Sequence, residues 1–254
     1  MRPVDYGRIA ATYDALPVRR EVGPDPELAA LAALAAHDRA ARVLDVGCGT
    51  GSYLVAQARA FGPALALTGL DPSEAMLARA RAKLAGTSAE LLVGRAEALP
   101  FADGSFDRVV SRFAFHHFAD PSRALAELRR VLAPAGRLGL ANLAPEHMPG
   151  FWMYAFFPEA HALDARFWSV ARLVAAFAAL GLEVSHRIAV TRVALPLREA
   201  LAQAELRDQS HLAALEEADY ARGLEALRSA VARDPQGAVA SETAVLHLTG
   251  RSPD

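Results

Sequence analysis

An α/β fold is predicted for this 254-residue chain, with seven strands in a mostly parallel sheet and helices on both faces. Three observations predict it. Apolar periodicity switches repeatedly between about 3.6 and 2, which marks helices alternating with strands. Single helical stretches separate most of the strands, the connection that parallel strands require. The first strand also runs straight into Gly47-Cys48-Gly49-Thr50-Gly51, a turn that feeds a helix.

The elements follow in order. Tyr6, Ile9, Ala10 and Tyr13 lie on one face of a short N-terminal helix, and Pro26 to His37 reads as a second. Arg42–Val46 is the first strand, and a helix from about Ser52 to Ala60 follows the glycines. Ala64–Leu70 is the second strand, ending at Asp71. Ser73 suits the N-cap of the next helix, with Met76, Leu77, Ala80 and Leu84 inward and Gly86 as its stop. Glu90–Val93 is a third strand, and Phe106–Arg112 a fourth, launched by Asp103-Gly104. Asp120-Pro121 opens a helix, since proline suits the first helical position. That helix buries Leu125, Leu128 and Leu132, then breaks at Pro134 and Gly136 before a fifth strand, Arg137–Leu143. The alternation lapses over 144–166, where Phe151, Trp152, Tyr154, Phe156 and Phe157 exceed the chain's 7% aromatic content. Trp168–Leu180 is helical, Leu182–Val190 alternates as a sixth strand, Pro196 to Arg233 is helical, and Thr243–Leu248 closes the chain.

Composition narrows the function. Hydrophobic residues make up 53% of the chain, enough for one core. No linker divides it, so residues 1–254 read as one domain. The net charge is −2, with basic residues spread among acidic ones, which argues against a general grip on nucleic acid or an anionic membrane. Cys48 is the only cysteine, so no intrachain disulfide forms. Neither a secretory signal nor a run approaching the roughly 18 apolar residues of a membrane helix is present. A cytoplasmic protein is expected.

The glycine turn and Asp71 carry the chemistry. In a doubly wound sheet, ligands bind beyond the carboxyl ends of the strands, where the strand order reverses. The glycines let a ligand approach backbone where a Cβ would collide. Asp71 follows Gly51 by twenty residues and can accept two hydrogen bonds from a ribose. The spacing is G-x-G-x-G, with Ser52 where a dinucleotide fingerprint has its third glycine. Asp45 before the turn attracts a cation and repels phosphate. The site therefore suits a nucleoside bearing positive charge.

These residues resemble the class I S-adenosylmethionine-dependent methyltransferases, particularly the ubiquinone-biosynthesis-like or type 11 group. The match includes Val43 through Gly51, Gly69-Leu70-Asp71-Pro72-Ser73-Glu74-Ala75-Met76, and Ala96-Glu97-Ala98-Leu99-Pro100-Phe101. It continues through Ser105-Phe106-Asp107, His116-His117-Phe118 and Arg130-Val131-Leu132 into Gly136-Arg137. Any one motif is only moderately specific, but the ordered set spans roughly residues 40 to 143.

The resemblance implies a Rossmann-like sheet whose last strand is antiparallel, and S-adenosyl-L-methionine as cofactor. It implies that Gly47, Cys48 and Gly49 lie against the methionine part, with Asp45 beside them. Asp71 would hold the ribose, while Pro72, Met76, Ala96 and Glu97 surround the adenine. A backbone carbonyl at Ser111 would meet the methionine amino group. The N-terminal segment 1–39, with Tyr6 and Tyr13, would cover the cofactor. Residues 40–143 would form the cofactor-binding half, and 144–166 and 196–233 would cover the acceptor. One departure stands out: Arg95 occupies a position where the family commonly has an aspartate that accepts from the adenine amino group. Arginine cannot accept. Either a backbone carbonyl or Glu97 takes that role, cofactor affinity is reduced, or Arg95 points to solvent.

The implied reaction is methyl transfer to O, N or C of a small-molecule acceptor, apolar or aromatic, by in-line displacement. Alignment alone contributes about 7–11 kcal/mol, so a base is needed only when the acceptor must lose a proton. His116 and His117 are the candidate bases; their alternative is packing at a helix start. No metal is expected, since no third ligand joins His117 and Asp120 at recognisable spacing. Arg112 either faces the acceptor or ties down a loop. Cys48 reads as a small turn residue rather than a nucleophile. The Phe151–Phe157 aromatics are either a lid over the acceptor or a buried or subunit contact. His37, His161, His186, His211 and His247 read as isolated structural or surface residues. Competing classes are an S-adenosylmethionine-binding protein without catalysis, a methyltransferase of RNA or protein, and a nicotinamide-dependent or nucleotide-sugar oxidoreductase. The protein would act as a monomer or homodimer.

Overall fold

The computed structural model describes residues 5–15, 31–32 and 40–253, without the side chain of Arg8. Of the helix expected at Pro26–His37, only Leu31 and Ala32 fall within the described residues.

Among the described residues, the order is α1 (Tyr6–Ile9), β1 (Ala41–Val46), α2 (Ser52–Phe61), β2 (Leu65–Asp71), α3 (Glu74–Lys83), β3 (Glu90–Val93), β4 (Phe106–Arg112), α4 (Pro121–Arg130) and β5 (Leu132–Leu143). There follow α5 (Val170–Ala179), β6 (Glu183–Pro196), α6 (Leu197–Leu206), α7 (Ser210–Ala213), α8 (Glu217–Arg233) and β7 (Ala238–Arg251). The strands form one seven-stranded sheet in the order β3-β2-β1-β4-β5-β7-β6. Pairs among β1–β5 are parallel, and β7 runs antiparallel to both its neighbours. The expected sheet and its antiparallel last strand are both found.

Alternation within β1 places the core on both faces. Leu44 and Val46 enter one buried cluster, while Ala41 and Val43 enter another with Leu54, Leu67 and Leu84. Helices shield a central parallel strand on each side, so its side chains read as a continuous apolar run. Two side chains fix the loops that frame the site. Asp107 accepts from the Arg42 amide and guanidinium at 2.9 and 3.0 Å, joining β1 to β4. Arg130 donates to the carbonyls of Leu99 and Phe101 at 3.0 and 2.7 Å, holding the loop after β3.

Caps behave as expected. The Ser73 hydroxyl accepts from Met76 N, and the Asp120 carboxylate from Arg123 N with Pro121 following. Several boundaries differ. The helix expected to reach Leu132 stops at Arg130, and β5 already begins at Leu132, opposite Phe106. Pro134, Ala135 and Gly136 form a kink within that strand, with Ala135 at φ 57°, instead of a helix break. β6 and β7 exceed the expected spans because they pair over their full lengths, from Glu183↔Arg251 to Pro196↔Ala238. The stretch 196–233 is three helices, interrupted where Arg207 adopts φ 46°. Residues 144–166 fold as successive 3-10 turns.

Candidate active site

The strand order reverses between β1 and β4, and a cavity of about 510 Å³ opens above their carboxyl ends. Gly47 turns the chain out of β1 with φ 76°, and an added Cβ would sit 2.4 Å from Ala114 Cβ. Its amide and that of Cys48 both donate to the Leu70 carbonyl, at 2.7 and 3.1 Å. The turn is thus pinned to the end of β2. From there Asp71 reaches back: one carboxylate oxygen accepts from Gly49 N at 2.8 Å and the other from Ser73 N at 2.9 Å. Burial raises the Asp71 carboxyl above its usual value, and these two amides oppose that rise. Each oxygen keeps a lone pair for a ligand.

Asp45 is the second acid. Burial pushes its carboxyl up to about 7, opposed by the Arg112 guanidinium and reinforced by Asp71. Its Oδ1 is buried without a hydrogen-bond partner, a state that a cationic donor relieves.

A second cavity, of about 760 Å³, adjoins the first. Tyr6, Tyr13, Gly47, Arg112, Phe113 and His117 line both. Its far wall comes from segments 144–166 and 196–233, with Phe151, Trp152 and His211, and from β6 and β7. At the junction the Tyr6 hydroxyl meets His117 Nε2 at 2.5 Å. Burial, then the charges of Arg166 and His211, lower the His117 imidazole to about 4. His116 Nδ1 meets Asn142 Oδ1 at 3.0 Å, its ring stacks on Phe167 at 4.1 Å, and burial holds its imidazole well below the usual value. Phe113 beside them carries φ 52°, an uncommon conformation for a bulky residue.

The expected residues gather here. Tyr13, Gly47, Gly49, Asp71, Pro72, Met76, Ala96, Glu97 and His117 line the first cavity, while Asp45, Cys48 and His116 line the second. Ser111 does not reach either wall: its side chain is fully buried, and the lining passes to Arg112 and Phe113. Burial holds the Cys48 thiol well above its usual value, which suits a turn residue rather than a nucleophile. Arg95 is 62% exposed and pairs with Glu97 Oε2 at 3.5 Å. The other Glu97 oxygen accepts from Ala119 N at 2.6 Å. The Arg112 guanidinium lies 4.3 Å from the centre of the Tyr53 ring.

Sequence reasoning missed the anchor of the N-terminal segment. Asp14 accepts from Thr50 Oγ1 at 2.8 Å and pairs with Lys83 Nζ at 2.7 Å. Lys83 also donates to Thr50 and Ser52, at 2.9 and 3.0 Å. The one available signal was that Lys83 is the chain's only lysine. His211, read as isolated, instead lines the second cavity and pairs with Asp164.

Residues 44–140 match the family model described as a methyltransferase domain. That stretch is a methyltransferase domain, similar to those of class I S-adenosylmethionine-dependent methyltransferases. It is 38% identical over 142 residues to a demethylmenaquinone methyltransferase of Thermus thermophilus, covering 55% of this chain and 64% of that protein. A Listeria monocytogenes demethylmenaquinone methyltransferase is 39% identical over 117 residues, 45% of this chain and 49% of that one. The chain thus spans less than two thirds of the length of either relative. The fold is shared with Haemonchus contortus phosphoethanolamine N-methyltransferase 2, solved with S-adenosylhomocysteine and phosphomonomethylethanolamine. That likeness has a TM-score of 0.63 at 19% identity, covering 100% of this chain and 61% of that one. Among the described residues, no helix is long and apolar enough to cross a membrane.

Proposed function

We propose that this protein transfers the methyl group of S-adenosylmethionine to a small, largely aromatic or apolar acceptor. The observation that carries this reading is the pair of adjoining cavities. One is walled by the glycine turn and Asp71, the other by Asp45, polar side chains and the aromatics Phe151 and Trp152, and they share Tyr6, Arg112 and His117. Two reactants held in adjoining chambers meet at that shared wall, and holding them there lowers the barrier.

When bound, S-adenosylmethionine supplies a methyl group on a cationic sulfur. The residues suit it. Asp71 has lone pairs for two ribose hydroxyls, and Pro72, Met76 and Ala96 offer an apolar slot for adenine. The unpartnered Asp45 Oδ1 suits an ammonium group. With Glu97 held by Ala119 N and paired with Arg95, adenine recognition falls to backbone groups of this loop. Tyr6 and Tyr13 cover the junction, and Tyr6 hydrogen-bonds His117. A histidine lowered to about 4 is a weak proton acceptor at neutral pH, so positioning Tyr6 suits His117 better than base catalysis. Segments 144–166 and 196–233 then govern which acceptor fits.

The relatives named for demethylmenaquinone favour an aromatic acceptor of quinol type, which agrees with Phe151 and Trp152 on the second wall. Calorimetry with S-adenosylmethionine and S-adenosylhomocysteine tests the donor site, and NAD serves as the competing ligand. Saturable heat with the first two alone supports the reading, and its absence for both abandons it. Mass spectrometry for S-adenosylhomocysteine, after incubation with reduced demethylmenaquinone and fractionated metabolites, then identifies the acceptor.

A further inference from the structure

The second cavity holds a histidine–carboxylate pair of a kind that the two histidines after β4 lack. His211, in α7, is 3% exposed and lines this cavity. Its Nε2 lies 3.3 Å from Asp164 Oδ1. Asp164 comes from the 3-10 segment Pro158–Arg166 and is held on several sides. The Tyr154 hydroxyl lies 3.0 Å from each of its oxygens, and His161 Nδ1 3.1 Å from Oδ2. Burial alone would raise the Asp164 carboxyl, but hydrogen bonds from His211, His161 and Tyr154 outweigh it and leave the acid below its usual range.

An ionised carboxylate only accepts hydrogen bonds. Nε2 of His211 therefore carries the proton, and Nδ1 is left as the basic nitrogen. The ring is steadied by Phe167, stacked at 6.0 Å, and by the edge of Phe151 at 5.8 Å. By contrast, His116 is oriented by the neutral amide of Asn142 and His117 by the Tyr6 hydroxyl. Neither neutral partner compensates the charge of an imidazolium. A base oriented by a carboxylate is the arrangement that catalytic proton acceptors share across unrelated folds.

We propose that His211, oriented by Asp164, takes the hydroxyl proton of a phenolic or enolic acceptor bound in the second cavity. This rests on the methyl-transfer reading and narrows it to acceptors that must lose a proton to become nucleophilic. The acceptor O–H bond breaks, its proton passes to Nδ1, and the electron pair stays on oxygen, where it drives attack on the methyl group. As the methyl–sulfur bond breaks, its pair returns to sulfur and cancels the positive charge. The proton then leaves His211 to solvent.

The test uses 4-nitrophenol, whose visible phenolate band reports its ionisation directly, added to the full chain saturated with S-adenosylhomocysteine just below neutral pH. Wild type raises the band several-fold over free probe. His211→Gln and the near-isosteric Asp164→Asn return it to the free-probe level, whereas His186→Gln on the exposed face of β6 leaves it raised. A band absent in wild type, or one that survives both site variants, overturns the proposal. Should His211→Gln fail to fold, Asp164→Asn still decides. Calorimetry of S-adenosylhomocysteine on the same samples separates the two levels. Lost cofactor binding strikes the methyl-transfer reading, while retained binding without the band strikes only the His211–Asp164 pair.

Discussion

The Tyr6 hydroxyl lies 2.5 Å from Nε2 of His117, tying the N-terminal helix to the exit of β4 across the junction of the two cavities. The rings also meet edge-on at 5.1 Å. On the methyl-transfer reading, a segment held this way opens for cofactor to leave. Tyr6→Phe keeps the ring contact and removes the hydrogen bond, a net loss of about 0.5–1.5 kcal/mol. Stopped-flow release of S-adenosylhomocysteine should therefore quicken by about 2- to 10-fold. An unchanged release rate would show that this contact does not gate the site.

Asp71 builds the turn and, on the proposed reading, also binds the ribose. It fixes the amides of Gly49 and Ser73 at 2.8 and 2.9 Å, so removing its charge weakens the turn and the ribose contact together. Asp71→Asn should raise the S-adenosylmethionine dissociation constant by about 10- to 100-fold, the equivalent of about 1.5–3 kcal/mol for hydrogen bonds to a charged group. Calorimetry measures this, and an unaltered constant removes Asp71 from the cofactor site.

Asp71, Gly47 and the central strands were legible in the sequence because local physics alone decides them. Glu90–Val93 carries Leu91, Leu92 and Val93, Phe106–Arg112 carries Phe106, Val109 and Val110 after the Asp103-Gly104 turn, and the predicted limits of both match. The far edge of the sheet was less legible. Thr191 and Arg192 lie past the expected end at Val190, and they extend β6 because β7 pairs with them residue by residue. Pro134 and Gly136 suggested a helix end, yet pairing of Leu132 with Phe106 draws them into a strand. The His211–Asp164 contact joins residues 47 positions apart, on segments without a periodic pattern. The fold of the late insertions creates it, and no spacing announces it.

Two glycines of the turn separate stability from binding. At Gly47, alanine brings both left-handed strain and a 2.4 Å clash with Ala114 Cβ, together roughly 2–4 kcal/mol. Gly47→Ala should lower the melting temperature by several degrees. At Gly49, with φ 54° and nothing within 4 Å of an added Cβ, only about 1 kcal/mol of strain is expected. Gly49 lines both cavities, so its new methyl group would enter ligand space. Gly49→Ala should therefore lose far more cofactor affinity than thermal stability. Parallel melting and calorimetry of both variants check this, and equal stability losses would contradict it.

The buried acid before the turn makes stability depend on pH in a direction that identifies it. Burial raises Asp45 from 3.8 to about 7 in the folded protein. Between those values the folded state holds a proton that the unfolded state has released, so stability falls as pH rises. The full swing is on the order of 4 kcal/mol, complete once pH passes about 7. His117 acts oppositely. Its folded value of about 4, against 6.5 unfolded, makes stability rise with pH across that lower window. The raw wild-type profile therefore mixes these with the shifts at His116, Asp71 and Asp164, and the difference between wild type and Asp45→Asn isolates the acid. Urea unfolding of the ligand-free protein should show this difference shrinking from acid to neutral pH, with Asp45→Asn gaining on wild type throughout. A flat difference would mean that Asp45 is already ionised without ligand, and the unpartnered oxygen could not then select a cation by relief of burial.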